Sequence, residues 1–222
     1  MAIFHGKNSP DWTDMSNFVV HFTREYGGKS PYENILRILH SKTIKARNAF
    51  GIGKSEAPNT QSQKVACFSE VPLHLLSRFA EKRSSYGIVF PKDMVIHRKG
   101  NPILYAYKDH PATTALRAIM QQAKTVAEHA IWSVTPFVDA PGKYAHGSYF
   151  FEWEREWRAV GDYKFQTDEV ALLILPEKQH EKARAFFKAA KKENTGPSYD
   201  CPFIDPYWKH KKIRKVLSDL NL

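Results

Sequence analysis

The sequence predicts an α+β fold. Short β-branched or aromatic runs bounded by polar residues alternate with amphipathic helical stretches, and the two kinds of segment follow no regular βαβ order. With 222 residues, 42% hydrophobic and 13% aromatic, the chain is long and apolar enough to bury a substantial core as one compact domain.

Asn17–Thr23 (N-F-V-V-H-F-T) has the composition of a buried strand ending on polar groups, with His21 and Thr23 turned to one side. Ser30-Pro31-Tyr32-Glu33 is a capping box with proline in the first turn. Ile35, Leu36, Ile38 and Leu39 then supply the apolar stripe of a helix from Pro31 to about Ser41. A short strand over Thr43–Arg47 precedes Asn48–Gln63, where Gly51, Gly53, Pro58 and Asn59 without periodicity predict a loop able to close over a substrate. Lys64–Ser69 predicts a strand, Pro72 the opening of a helix containing Leu73, Leu76 and Phe79, and Tyr86–Phe90 a second buried strand. Asn101–Tyr107 is extended, and Ala112 to about Trp132, alanine-rich and free of Gly and Pro, predicts one long helix.

Over Tyr149–Val160, Phe151, Trp153, Trp157 and Ala159 alternate with Glu152, Glu154, Glu156 and Arg158, the pattern of a half-buried strand with an acidic face. Asp168–Leu175 predicts a strand and Glu177–Lys192 a basic helix. Asp205–Leu220 predicts a second basic helix carrying Trp208, Ile213, Val216 and Leu217. Residues 177–222 thus form a basic helical end to a single domain spanning 1–222, and no repeat, low-complexity tract or composition break divides it.

Lys and Arg number 33 against 23 Asp and Glu, a formal charge of +10, which favours polyanionic partners, nucleic acid foremost. No run approaches the roughly 20 apolar residues of a membrane span, and Met1–Pro10 lacks the apolar stretch of a secretory signal, so a cytoplasmic protein without a membrane partner is expected. Cys67 and Cys201 lie far apart outside any metal-binding spacing and are expected as core thiols. The Walker loop, G-x-G-x-x-G, H-E-x-x-H and G-x-S-x-G are absent, which argues against ATPase, dinucleotide dehydrogenase, zinc protease and α/β-hydrolase chemistry.

Four groups of residues could carry chemistry. Glutamates two apart on a strand stand roughly 6.5 to 7 Å apart. Glu152, Glu154 and Glu156 would then form an acidic row in which one crowded carboxylate gains a raised pKa or grips a sugar hydroxyl; the same row also reads as a solvated face paired with Lys or Arg. His21 and Thr23 could hydrogen-bond a ligand, or be structural. Ser69 and Glu70 stand at a strand-to-helix junction, where they could bind a ligand or simply cap the helix. Arg47, Arg78, Lys82 and Arg83 could clamp phosphates while Tyr86 or Tyr105 stacks on a ring, and Lys209, His210, Lys211, Lys212, Arg214 and Lys215 could track a nucleic-acid backbone; both sets also read as solvated surface.

In order, the chain carries V-H-F-T (Val20–Thr23), the capped helix E-N-I-L-R-I-L, A-C-F-S-E-V-P-L (Ala66–Leu73), Y-G-I-V-F (Tyr86–Phe90), N-P-I-L-Y (Asn101–Tyr105) and W-E-R-E-W-R-A-V (Trp153–Val160). Over about Asn17–Leu175 this order resembles the AbiGi-type abortive-infection family of bacterial phage-resistance proteins, with C-F-S-E and E-x-E-W-R its more specific pieces. More distantly it is similar to DarT-type ADP-ribosyltransferases. That resemblance implies an ADP-ribosyltransferase-like fold, with a mixed or antiparallel central sheet flanked by helices. It also implies NAD as substrate without a metal, Glu156 as the catalytic glutamate and Glu154 as a second acid. His21, Thr23, Ser69, Arg83 and Tyr86 would lie around NAD, and either Arg47 or Arg83 would hold its diphosphate.

Cleavage of the nicotinamide–ribose bond passes through an oxocarbenium-like sugar, which a carboxylate beside the ribose can stabilise. The leading expectation is therefore a phage-defence or toxin-type ADP-ribosyltransferase that modifies RNA or DNA, or less readily a protein, with an antitoxin as a further partner. The alternative is a non-catalytic module, an antitoxin or sensor, that binds nucleic acid or a protein. A magnesium nuclease built on the glutamate row ranks below both, because a hard divalent ion needs ligands converging from several elements.

Overall fold

The computed structural model describes residues 16–72 and 75–218, so the expectations resting on Met1–Pro10, Leu73 and Leu220 lie outside the described residues. The chain divides into two compact units.

The first unit takes its described residues from Met1–Thr43, Ser69–Met94 and Lys164–Leu222. The strand Phe18–Phe22 runs antiparallel to Gly87–Pro91, from Phe18 opposite Pro91 to Phe22 opposite Gly87. Leu172–Ile174 flanks Gly87–Pro91 on its other edge, also antiparallel, and Phe203–Ile204 follows in parallel, so the sheet is mixed. Ile88, Val89 and Phe90 are all buried, as an uninterrupted apolar run requires of a strand covered on both faces. Helix Pro31–Ser41 starts as its sequence dictates. Ser30 Oγ accepts from the Glu33 N–H at 3.2 Å, and Glu33 Oε2 accepts from the Ser30 N–H at 2.8 Å. Its buried face carries Ile35 and Leu39, and the Leu39 carbonyl accepts from the buried Tyr199 hydroxyl at 2.6 Å. Phe187 of the helix His180–Glu193 packs edge-on against Tyr199, which ties this helix into the same core.

The second unit comprises Ile44–Phe68 and Val95–Tyr163. Its strand Glu156–Val160 lies beside the Val65–Ser69 strand, most of which falls in this unit, and pairs on its other edge with Asn101–Pro102. Leu104–Tyr105 runs parallel to Val138–Asp139, and Gly142–Tyr144 forms a hairpin with Gly147–Tyr149. Met120, Ala123, Ile131, Trp132 and Ala57 make a separate small core.

Several elements depart from the sequence expectation. The long helix over Ala112–Trp132 is instead Pro111–Gln122 followed by a distinct turn of helix at Ile131–Val134. Trp132 folds back onto Met120 and Ala123, its indole N–H donating to the Val126 carbonyl at 3.0 Å, so tertiary packing overrides alanine's helical propensity. Tyr149–Val160 is not one strand. Gly147–Tyr149 ends, Glu152–Glu154 makes a 3₁₀ turn, Arg155 takes a left-handed conformation (φ 44), and only Glu156–Val160 is extended. The acidic row therefore does not exist, because period-two alternation across a turn does not place side chains on one face.

The Thr43–Arg47 strand shortens to Thr43–Ile44, Asn101–Tyr107 breaks into Asn101–Pro102 and Leu104–Tyr105, and Asp168–Leu175 into the 3₁₀ turn Thr167–Glu169 and Leu172–Ile174. The helix after Pro72 runs Leu76–Lys82, the terminal one begins at His210 with Trp208 ahead of it, and Lys92–His97 is a helix that the sequence did not announce. Asn48–Gln63 is a loop, closed by the 3₁₀ turn Thr60–Gln63 and tied down by bonds from Phe50 N to Gln63 O (2.9 Å) and from Ile52 N to Val138 O (2.8 Å). Gly51 within it has φ +82, and an added Cβ would fall 1.9 Å from the Thr135 carbonyl oxygen, so no other residue fits there.

Replacing Ser30 by Ala removes one half of the capping box; urea denaturation is expected to show a loss of about 1 kcal/mol with an unchanged m-value.

Candidate functional site

The second unit buries a fully engaged guanidinium, that of Arg158. It sits on Glu156–Val160 with 0% exposure, and Glu156, two residues earlier, shares its face of the strand. Asp139 is delivered by the neighbouring Val138–Asp139 strand. Arg158 Nε donates to Glu156 Oε1 at 2.9 Å and Nη2 to Glu156 Oε2 at 3.0 Å. Nη2 also donates to Asp139 Oδ2 at 2.7 Å, and Nη1 to Asp139 Oδ1 at 3.1 Å and to the Pro136 carbonyl at 2.7 Å. These bonds use every N–H a guanidinium possesses. The Phe50 ring lies 5.2 Å from Arg158 Cζ, and Tyr149 donates its hydroxyl to Asp139 Oδ2 at 2.6 Å.

Burial by itself would weaken the Arg158 charge, but Glu156 and then Asp139 outweigh it and hold the guanidinium protonated even more firmly than usual. Two carboxylates against one cation leave the cluster one negative charge in excess. That excess acts on its neighbours. Tyr149 is pushed upward by burial first and by its bond to Asp139 second. Tyr105, whose hydroxyl accepts from the Glu156 N–H at 3.1 Å, is raised to about 12, chiefly by burial. The Cys67 thiol is raised well above its usual range by burial and then by Glu156, so it is a poor nucleophile.

The candidate residues named from sequence fall into both units. In the first, His21 stands half-buried opposite Ile88, Thr23 donates its hydroxyl to the Pro31 carbonyl at 2.9 Å, and its N–H donates to the Tyr86 carbonyl at 3.0 Å. Tyr86 packs 5.9 Å from the Tyr32 ring, and Ser69 is buried opposite Val20. His21, Thr23, Tyr86 and Ser69 thus gather along the Phe18–Phe22 strand. Glu70 is buried against Lys92 Nζ at 2.8 Å and also accepts from the Ser16 N–H at 3.2 Å. Arg83 closes the C-terminus of Leu76–Lys82 through its backbone N–H, and Arg78 and Lys82 are exposed. Lys209, Lys211, Lys212, Arg214 and Lys215 are exposed around the buried Ile213 and Leu217. Lys212 is engaged with Glu177 at 2.9 Å and lies 3.6 Å from the Trp208 ring centroid, while His210 is half-buried.

In the second unit, Arg47 is exposed and Glu154 is buried at the end of its 3₁₀ turn, while the nearby Glu152 carboxylate raises the Tyr107 phenol above its ordinary pKa. Sequence reasoning named Glu156 and Tyr105 but missed Asp139 and Tyr149. The available signal was an acid inside the apolar stretch P-F-V-D-A, since a buried carboxylate calls for a buried cation. Among the described residues no cluster of three or more His, Cys, Asp or Glu side chains forms a metal-binding group, and no helix is long and apolar enough to cross a membrane. Both cysteines are free thiols.

Replacing Arg158 by Met leaves the buried Asp139 and half-buried Glu156 carboxylates facing each other and is expected to cost about 3–5 kcal/mol in chemical denaturation. Tyr105 behaves differently. Its folded pKa of about 12 exceeds the ordinary 10.0, so the neutral phenol contributes stability that is complete below pH 10 and lost as pH rises through about 12. Tyr105→Phe should therefore flatten the fall of stability with pH in that window, and denaturation at stepped alkaline pH reads it.

No curated protein and no solved structure matches the chain. A family model described as "Putative abortive phage resistance protein AbiGi, antitoxin" matches residues 38–196, which include every residue of the Arg158 cluster. Because that match covers most of the sequence, the chain belongs to the AbiGi family of abortive phage resistance proteins.

Proposed function

We propose that the chain is the antitoxin of an abortive-infection system, a non-catalytic module that holds a toxin protein inactive. The family match over residues 38–196 is the observation that carries this reading. The geometry of Glu156 supports it. A transferase glutamate must offer its carboxylate to the ribose of NAD, whereas here Oε1 and Oε2 are each bound to the buried Arg158 guanidinium. Arg158 in turn is saturated, so freeing Glu156 would strand two buried N–H donors. The Thr23 hydroxyl, which the transferase reading turns towards NAD, is committed to the Pro31 carbonyl. The +10 charge would speed encounter with an acidic partner surface.

Two measurements test this. Coexpression with the toxin of the same defence system should restore growth, with the two proteins eluting together from a sizing column. Purified chain incubated with NAD, RNA, single-stranded DNA and lysate should release no nicotinamide. Nicotinamide release by the wild type that disappears in Glu156→Gln would replace the antitoxin reading with the ADP-ribosyltransferase one. Growth rescue without protein association, accompanied by retention of nucleic acid, would move the partner from protein to RNA or DNA.

A further inference from the structure

The second unit contains an open cavity of about 470 Å³ beside the Arg158 cluster, within the size range of small-molecule sites. Its lining has three kinds of group. Phe50, Tyr144 and Tyr149 are aromatic, and all three are fixed in place. Phe50 lies against Arg158, Tyr144 donates to the Ala140 carbonyl at 2.6 Å, and Tyr149 donates to Asp139 at 2.6 Å. Rings held in this way lose little entropy when a planar ligand stacks on them.

Asp139 lines the same cavity. Its Oδ2 already accepts from Arg158 and Tyr149, while Oδ1 accepts only from Arg158. A carboxylate oxygen has two acceptor positions, so Oδ1 keeps one for a single further donor. The cluster's excess negative charge strengthens that acceptor.

Lys54 and Arg117 supply the opposite chemistry at the cavity lining. Lys54 is exposed, and Arg117 reaches Glu56 only at 3.8 Å while Gln121 donates to the other Glu56 oxygen at 3.1 Å, so both cations have donors left over. Two cations, one of them beside the Glu56 carboxylate that also lines the cavity, together with fixed aromatic walls and the open acceptor position on Asp139, match a ligand with an anionic group, a flat ring and one hydrogen-bond donor.

We infer that this cavity binds a nucleoside monophosphate. Its phosphate lies on Lys54 and Arg117, its base against the tyrosine rings, and one amine or hydroxyl on Asp139 Oδ1. The inference goes beyond the antitoxin reading and does not depend on it, since the site lies within one unit and needs no toxin.

Calorimetric titration of the full chain with the adenosine, cytidine, guanosine and uridine 5′-monophosphates, inorganic phosphate and adenosine tests it. At least one nucleotide should bind saturably, and phosphate and adenosine at least about tenfold more weakly. Lys54→Ala and Arg117→Ala, both at exposed side chains that leave the Arg158 cluster intact, should each weaken nucleotide binding by about tenfold. Saturable binding unchanged in the double variant would overturn the site, and no binding by any of the four nucleotides at millimolar concentration would overturn the ligand class. NAD included as a further titrant separates this site from transferase chemistry: binding without nicotinamide release fits the cavity as described, and nicotinamide release abolished by Glu156→Gln but untouched by Lys54→Ala and Arg117→Ala would count against it.

Discussion

A guanidinium removed from water costs several kcal/mol unless its charge and every N–H are met inside the protein. Arg158 has no exposure at all, and the architecture of the second unit can be followed outward from the groups that satisfy it. Glu156 must share its strand face. Asp139 must be presented by the Val138–Asp139 strand, and the chain just before that strand must turn so that the Pro136 carbonyl faces inward. Gly51 allows the preceding loop to press against Thr135, and Gln63, wholly buried, fixes the same segment by accepting from the Thr135 hydroxyl and donating to the Trp132 carbonyl. The result is a polar network in which removing one partner leaves several others unsatisfied.

The same network decides what the site can do. A carboxylate poised for catalysis needs an open approach, whereas both Glu156 oxygens are bound to Arg158. Around this cluster the phenols of Tyr105 and Tyr149 and the thiol of Cys67 are pushed towards their neutral forms, chiefly by burial. The acids act as acceptors, the Tyr149 hydroxyl is held as a donor to Asp139, and the Tyr105 hydroxyl accepts from the Glu156 N–H. Such a scaffold suits recognition better than proton transfer, in line with the antitoxin role proposed above.

What could be read from the sequence was what is local. The Ser30–Glu33 box, the apolar stripe of Pro31–Ser41 and the apolar run at Gly87–Pro91 each specify their own structure within a few residues, and they formed as expected. The strand carrying E-W-R was legible from its alternation, and Glu156–Val160 does form one. The acidic row failed because alternation persists through the 3₁₀ turn and the left-handed Arg155, neither of which carries a Gly or Pro to announce a break. Asp139 was missed for another reason: its partner is a residue 19 positions away that only the tertiary fold brings to it.

The claim on which this account rests is that Arg158 is a fixed structural cation with every N–H occupied. Nitrogen-15 NMR of the arginine side chains tests it directly. The account predicts one guanidinium with separate, slowly exchanging Nη1 and Nη2 proton signals and a protected Nε–H, absent from a folded Arg158→Lys variant. A single averaged set of Arg158 signals, exchanging with solvent as readily as those of exposed arginines, would contradict it and return Glu156 to the pool of available carboxylates.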